Sequence, residues 1–362
     1  MTHLINLLSW RSGHSGFGSY VKRVIPRIPG TRLQLNDLGH ACLTPFEQWT
    51  SQPPSLPPGR LMRLLQSNSM VQHGLRLKHL LSRADLQPEV IYSPFFDSLL
   101  EFPKIPQLIT CHDLTPLRYP NSRKAWLKYR LWQPRHLACA TRTVAISRHV
   151  ANQLIEFGVS ADRVVVVPNG IEIVRPPVPA PASEDLLVIA RHDANKNIVG
   201  LLHALANAQQ RLPEWQGKLR IVGRGIDIST ELERMRRQLP RPDRLELIPQ
   251  LDPCQLIAML RASLALVSAS LEEGFDYPVL EAKAEGIPTL ISHISVHSEF
   301  HAGSSLFFPA IGGEECFAFE LSRLLSDSRL WWDLSAAGRE LALSLSLTRQ
   351  QNSLISQIAQ LS

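Results

Sequence analysis

Glu273 and Glu281 stand eight residues apart in the segment EEGFDYPVLEA (272–282), with Gly274, Phe275, Asp276 and Pro278 between them. Proline fits the first turn of a helix, where its missing N–H would lack a partner anyway, and Gly286 fits the helix exit. Glu273 is therefore expected just before a helix and Glu281 in its first turns. The backbone amides of such a helix start, approached closely at Gly274, welcome an anion such as a phosphate. Carboxylates touching that phosphate would repel it, so their use here is as acceptors for hydroxyls on either side of it. A solvated helix start, with acids favouring the dipole, is the other reading. These residues alone leave both open.

A second group lies in VIARHDANKN, where Arg191 ends an apolar run and Lys196 follows five residues later. One guanidinium and one ammonium at the carboxyl edge of a parallel sheet can neutralise a diphosphate in place of a metal ion. The chain has no D-x-D triplet, the usual aspartate pair for a divalent ion on a nucleotide sugar. Singly, an Arg and a Lys in a loop are most often surface charges. The segment SGHSGFGSYV brings Gly13, Gly16 and Gly18 after the first apolar run. These let backbone approach a phosphate or sugar, although the spacing is not G-x-G-x-x-G. In QLITCHDLTPLRYP, His112 follows a strand-like run, where a histidine can face a cleft or serve structure alone.

The elements that must position these groups are short apolar runs alternating with amphipathic segments, as in βαβ units with parallel sheets. HLINLL, EVIYSP, QLITCHD, TRTVAIS and RVVVVPNG read as strands of a first domain, and DLLVIAR, KLRIVGRG, RLELIPQ, SLALVSAS and IPTLISH as strands of a second. The proline-rich VRPPVPAPASED between them reads as a linker. The expected organisation is a domain over 1–173, a linker over 174–184, a second domain over 185–345 and a C-terminal helix over 346–362. Another proline-rich stretch, SQPPSLPPG (51–59), reads as a projecting loop.

At 362 residues and 44% hydrophobic content, the chain can bury large cores. Its apolar runs fall short of a membrane span and its start lacks a signal-peptide layout, so a cytoplasmic protein is expected. The five cysteines are scattered and never spaced C-x-x-C, which argues for buried thiols. Up to Glu172 there are 20 Lys and Arg against 10 Asp and Glu, and beyond it 18 against 22, so the first part carries +10 and the rest −4. The stretch 114–155 has no acid at all. It holds Arg118, Arg123, Lys124, Lys128, Arg130, Arg135, Arg142 and Arg148 among Trp126, Tyr129 and Trp132.

Taken together, these segments resemble the family 4 glycosyltransferases over nearly the whole chain. The resemblance rests on the glycine-rich first loop, HDLTPLRYP, AISRHVANQLIEFGVSADRVVVVPNGIE, Arg191 with Lys196, IVGRG, and above all the E-x7-E pair with G-F after its first Glu. It implies two facing Rossmann-like domains, the GT-B fold, with the C-terminal helix packing back on the first. It also implies retaining transfer of a hexose from a nucleotide diphosphate sugar, with no cofactor and no metal. Glu273 would contact the donor sugar, the amides of Gly274 and Phe275 would hold sugar and phosphate, and Glu281 would bind the ribose. Arg191 and Lys196 would stabilise the departing diphosphate. His112 would face the sugar from the other domain, and Gly16, Gly18, Asn169 and Gly223 would line the donor site. Asp276 and Tyr277 depart from the small and aliphatic residues common after G-F, so Asp276 is expected to tune the choice of donor.

Mannose or rhamnose is mildly favoured by the HDLTPLRYP segment. The acceptor would be a saccharide or lipid-linked glycan of surface polysaccharide synthesis. The basic, aromatic stretch 114–155 could meet nucleic acid, but no nucleic-acid motif accompanies it, and the resemblance favours an anionic membrane surface. The rival functions are a sugar-phosphate synthase, a nucleotide-sugar epimerase, or a silent relative that only binds a nucleotide sugar. His293, His297 and His301 fall at four-residue spacing, a possible metal face if helical. The resemblance places a loop there and argues against zinc.

Overall fold

The computed structural model describes residues 2–10, 16–38, 40–53, 74–120, 122–223 and 229–362. The chain divides into two compact units, one of Met1–Asn169 with Leu347–Ser362 and one of Gly170–Ser346.

The first unit is built on a seven-stranded sheet in the order β3-β2-β1-β4-β5-β6-β7. Its strands are β1 (His3–Asn6), β2 (Thr31–Leu35), β3 (Ala41–Thr44), β4 (Val90–Ser93), β5 (Gln107–Cys111), β6 (Arg142–Ala145) and β7 (Val164–Val166). Successive side chains of a strand point to opposite faces. Leu4 and Ile91 accordingly join one core with Leu33, Leu77 and Leu81. Ile5, Val90 and Tyr92 join the other with Tyr20, Val21 and Val24 of the helix Gly16–Val24. Strands buried along their whole length, such as β4 and β5, are what a sheet covered on both faces requires.

Two strands here escape the sequence reading. β2 carries Arg32, whose guanidinium is buried and donates to the carbonyls of Ile25 and Ile28 at 3.0 and 2.7 Å. β3 pairs with β2 antiparallel, the one departure from a parallel sheet among the described residues of this unit. Its tight return is set by Asn36, whose Oδ1 accepts from the amides of Leu38 and His40.

The C-terminal helix Leu347–Ala359 returns to the first unit, as expected, and buries Leu354 and Ile358 in the core around Tyr20 and Tyr92. Gln351 donates to the carbonyl of Arg23, and Arg142 donates to Gln357 at 2.6 Å.

The second unit holds a six-stranded parallel sheet in the order β10-β9-β8-β11-β12-β13. Its strands are β8 (Leu186–Ile189), β9 (Leu219–Val222), β10 (Leu245–Ile248), β11 (Ala265–Ser268), β12 (Thr289–Ser292) and β13 (Leu306–Phe308). The three-residue β13 is too short to show a pattern and is absent from the sequence reading. One continuous core packs this sheet against the helices Ile198–Arg211, Glu314–Ser326 and Ser328–Ser344. The proline-rich segment 174–184 lies along this unit. The amide of Val178 donates to the carbonyl of Glu285 at 2.9 Å, and Arg175 pairs with the Glu285 carboxylate at 3.0 Å.

Candidate functional site

In the second sheet β8 and β11 are neighbours, while β9 and β10 continue to one side and β12 and β13 to the other. The connections leaving the carboxyl ends of β8 and β11 therefore diverge, and such a switch point is where open α/β sheets take up ligands. The loop after β8 carries Arg191 to Lys196, and the loop after β11 carries Glu272 to Asp276. Backbone bonds stitch the two together: the Leu271 amide donates to the Asn195 carbonyl at 2.7 Å, and the Asn195 side chain donates to the Glu272 carbonyl at 3.0 Å.

This stitching brings Lys196 Nζ into contact with Glu273 Oε1. Ser270 Oγ donates to the same oxygen at 2.7 Å, and Asp276 Oδ1 lies 3.9 Å from the ammonium. Two carboxylates thus share one cation. Burial alone would favour neutral Lys196, but Glu273 and Asp276 outweigh it and hold the ammonium charged well above the ordinary lysine range. Burial pushes the Glu273 carboxyl up, and the neighbouring Asp276 adds to that against the pull of Lys196. Asp276 goes the other way: burial would raise it, yet Lys196, His297 and Ser268 together hold it well below the usual carboxylate range.

Asp276 owes this to what touches it. Its Oδ2 accepts from Ser268 Oγ at 2.6 Å and from His297 Nε2 at 3.1 Å, and only 7% of the residue is exposed. The expectation that Asp276 reads a donor hydroxyl meets a carboxylate turned inward and already filled. Although it precedes the helix Tyr277–Ala284, it does not cap it. The helix has Pro278 in its first turn and closes at Gly286 (φ 77°), as the sequence implied.

The other expected residues fall unevenly. Arg191 is not a second free cation beside Lys196, because its guanidinium pairs with Asp193 at 2.8 Å and its side chain is 64% exposed. Gly274 is buried, and the Phe275 ring is packed 5.4 Å from Tyr277 and 4.9 Å from Phe300, which leaves its backbone for any ligand. Glu281 lies one helical turn beyond Tyr277, partly exposed. Gly223 ends β9 at φ 149°, and a Cβ there would fall 1.9 Å from the Ala190 carbonyl oxygen, so the closeness of two strand ends demands glycine. Arg224 and Gly225 of IVGRG lie outside the described residues, as do Gly13 and most of the loop 51–59.

In the first unit His112 follows β5 and donates from Nε2 to the Pro94 carbonyl at 2.8 Å. Its ring meets Tyr20 edge-on at 4.6 Å. Burial drops its pKa to about 4, so the imidazole is neutral at physiological pH. Gly16 begins the first helix in open space, and Gly18 is buried within it. Asn169 is buried, with its Oδ1 accepting from Gln350 of the C-terminal helix at 3.0 Å. That bond gives it a place in the packing of the first unit rather than on an open surface.

The sequence reading missed the buried groups behind Asp276. His297 and His301 lie within the helix Ser295–His301, where a loop was expected, and both are fully buried while His293 is exposed outside it. The spacing therefore makes no common metal face, and among the described residues no three His, Cys, Asp or Glu side chains are grouped to hold a metal ion. Next to them Lys283, 1% exposed, donates to the carbonyl and hydroxyl of Ser304, and burial drops its pKa to about 7. No local motif announces these contacts, since they join residues about twenty positions apart through adjacent strands.

Two Rossmann-like units, one with a charged crevice at its sheet's switch point, define a class of ligand-binding α/β proteins. Comparison narrows the class. Residues 37–175 match the Glycosyltransferase Family 4 model, and residues 172–339 match the model of Glycosyl transferases group 1. The chain belongs to the family 4 glycosyltransferases. It is 25% identical to glycogen synthase of Mycobacterium tuberculosis over 64% of this chain and 58% of that one. It is 22% identical to the O-antigen chain mannosyltransferase RfbU of Salmonella typhimurium over 56% of each. The chain thus spans somewhat over half the length of these curated relatives. The crystal structure of Anabaena HepE in complex with UDP shares the fold at a TM-score of 0.72 and 15% identity, covering 99% of this chain and 100% of that one.

Proposed function

We propose that this chain is a retaining glycosyltransferase that moves a hexose, with mannose or rhamnose favoured, from a nucleotide diphosphate sugar to a saccharide or lipid-linked acceptor of surface polysaccharide synthesis. The observation that carries this reading is Lys196 held between Glu273 and Asp276 at the β8/β11 switch point. A charged ammonium fixed there can take up the charge that develops on a departing diphosphate, and preorganised charge of that kind is the largest single lever on such a step. On this reading Glu273 meets the sugar and Glu281 the ribose. The leaving phosphate oxygen takes the acceptor's proton on the same face, so no protein base is assigned. The cationic side chains stand in for a metal ion, and no cofactor is needed. The names of the relatives support a hexose donor and a glycan acceptor.

The acceptor side of the reading includes an anionic membrane surface. Leu127 and Leu131, one turn apart on the helix Arg123–Leu131, are 46% and 57% exposed. They lie among arginines, with Arg130 over the Trp126 ring at 5.2 Å and Arg135 over Trp132 at 4.9 Å. Apolar side chains ringed by cations suit a headgroup layer, each nearby cation contributing about 1 kcal/mol. Among the described residues no helix is long and apolar enough to cross a membrane. The localisation we propose is cytoplasmic, with peripheral contact at the inner face of the membrane through this stretch.

Incubating the purified chain with GDP-mannose, UDP-glucose or dTDP-rhamnose and a lipid-linked glycan tests the reading. A new glycoside formed in the presence of a chelator supports it. An isomerised donor would make the chain an epimerase, and a bound but unchanged donor a silent relative.

A further inference from the structure

The crevice at the β8/β11 switch point has an unexpected charge balance for a site meant to hold an anion. Lys196 is matched by two carboxylates, Glu273 and Asp276, and Arg191 is matched by Asp193. Even with His297 included, whose two ring nitrogens both face acceptors, the set carries no net positive charge before any ligand arrives. A dianionic diphosphate entering here must take Lys196 for itself, and the carboxylate that gives up the ammonium is left buried without a cation. A buried carboxylate in that position binds a proton rather than remain charged.

The two carboxylates are not equal candidates. Asp276 is pinned by Ser268 Oγ and His297 Nε2, and His297 is itself anchored, with Nδ1 donating to the Ser292 carbonyl at 2.7 Å. The Asp276 backbone is fixed in the left-handed region at φ 68°. All three bonds survive the departure of Lys196. Among the described residues Glu273 keeps the Ser270 hydroxyl alone, at 2.7 Å, and faces the negative charge of Asp276.

We propose that binding of a nucleotide sugar at this site takes up a proton, and that Glu273 receives it because Ser268 and His297 keep Asp276 as the fixed counter-anion of Lys196. The proposal rests on the nucleotide-sugar reading above. Glu273, once protonated, becomes an O–H donor to a hydroxyl or phosphate oxygen of the donor instead of a competing anion. His297 is then a positioning residue, acting on the site through Asp276. Among the described residues, the charged and titratable groups that bear on the set are Arg191, His192 and Asp193 in the loop after β8, Asp276 beside it, and His297 behind. Lys283 and His301 lie further back. Burial pushes Glu273 above the usual carboxylate range even before a ligand arrives, which favours the same site of protonation.

Isothermal titration of the full chain with UDP-glucose, GDP-mannose and ADP-glucose tests this in phosphate and Tris buffers of equal pH. Intact nucleotide sugars are used because the terminal phosphate of a free nucleoside diphosphate titrates near neutrality. The expected result at pH 7.5 is a binding enthalpy that differs between the buffers in proportion to their ionisation heats, corresponding to about one proton taken up. Glu273→Gln is expected to bind with that buffer dependence lost, and adding His297→Phe to this variant to restore part of it through Asp276. The wild-type measurement decides without either variant. Binding with equal heats in both buffers overturns the proposal and leaves the glycosyltransferase reading standing. Full proton uptake in a folded Glu273→Gln protein also overturns it. No binding of any of the three, nor of dTDP-rhamnose, overturns both.

Discussion

Asn197 and Asp276 are both held in the left-handed backbone region, at φ 51° and 68°, one residue after Lys196 and three after Glu273. Each is pinned from the side away from the ion pair. Asn197 donates to the Ala310 carbonyl at 2.9 Å, and Asp276 accepts from Ser268 and His297. Strain of this kind persists only where the surroundings over-determine it, and here it aims the charged side chains. Asn and Asp tolerate this region better than other side chains. Asn197→Ala is expected to cost about 2 kcal/mol, combining backbone strain with a lost hydrogen bond. Asn197→Gly is expected to cost less, since only the bond is lost. Urea unfolding of the two variants checks the order, and an equal loss in both would contradict it.

Removing the cation leaves Glu273 and Asp276 facing one another. In Lys196→Ala the Glu273 carboxyl, already raised by burial, loses its cation and rises further, while Ser268 and His297 keep Asp276 ionised, so the variant is stabilised by acid through Glu273. Its deficit in melting temperature against the wild type is expected to be largest near pH 8 and to shrink towards pH 5. Transfer activity at pH 7.5 is expected to fall by about 10²–10³, the usual loss for one preorganised charge at a developing anion. A deficit independent of pH would mean the carboxylates do not depend on Lys196.

His112 titrates at about 4 in the folded chain against an ordinary 6.5. Between those values the unfolded chain binds a proton that the folded one refuses, so stability falls as pH drops through the window, by up to about 3 kcal/mol. His112→Gln, whose amide can still donate to the Pro94 carbonyl, is expected to flatten the melting temperature between pH 6.5 and 4. An unchanged slope in the variant would assign the acid sensitivity elsewhere.

Lys283 has the same sign in a different range. Its folded pKa of about 7, against an ordinary 10.5, means that the unfolded chain holds the extra proton between those values. Stability therefore rises with pH across that window, and below it the buried charge carries its full cost. Lys283→Met gives up the bonds to Ser304 but removes the buried ammonium, for a net gain of about 2–4 kcal/mol at pH 7. Thermal melts should show that advantage shrinking as pH approaches 10.

The strands that form the sheet centres were legible because β1, β4, β5, β8 and β11 are short runs of apolar residues bounded by turns. β2 was not, because a charged residue in a strand reads as surface, whereas Arg32 spends its donors on the carbonyls of Ile25 and Ile28. The switch-point loops were legible from Arg191, Lys196 and Glu273 as residue types, but the division of labour among them was not. That Arg191 turns to Asp193 while Lys196 turns to Glu273 depends on loop closure through Asn195 and Leu271. His297 could not be assigned to Asp276 from sequence, because only the adjacency of β11 and β12 brings them together.

The return of Leu347–Ala359 to the first unit bears on the order of synthesis. A ribosome making this chain finishes every strand of the second sheet before it emits Leu354 and Ile358, yet the first core is incomplete without them. The amino-terminal unit, first to be translated, is therefore the last to close, and its unfilled side stays exposed to chaperones or to premature association until the end of translation.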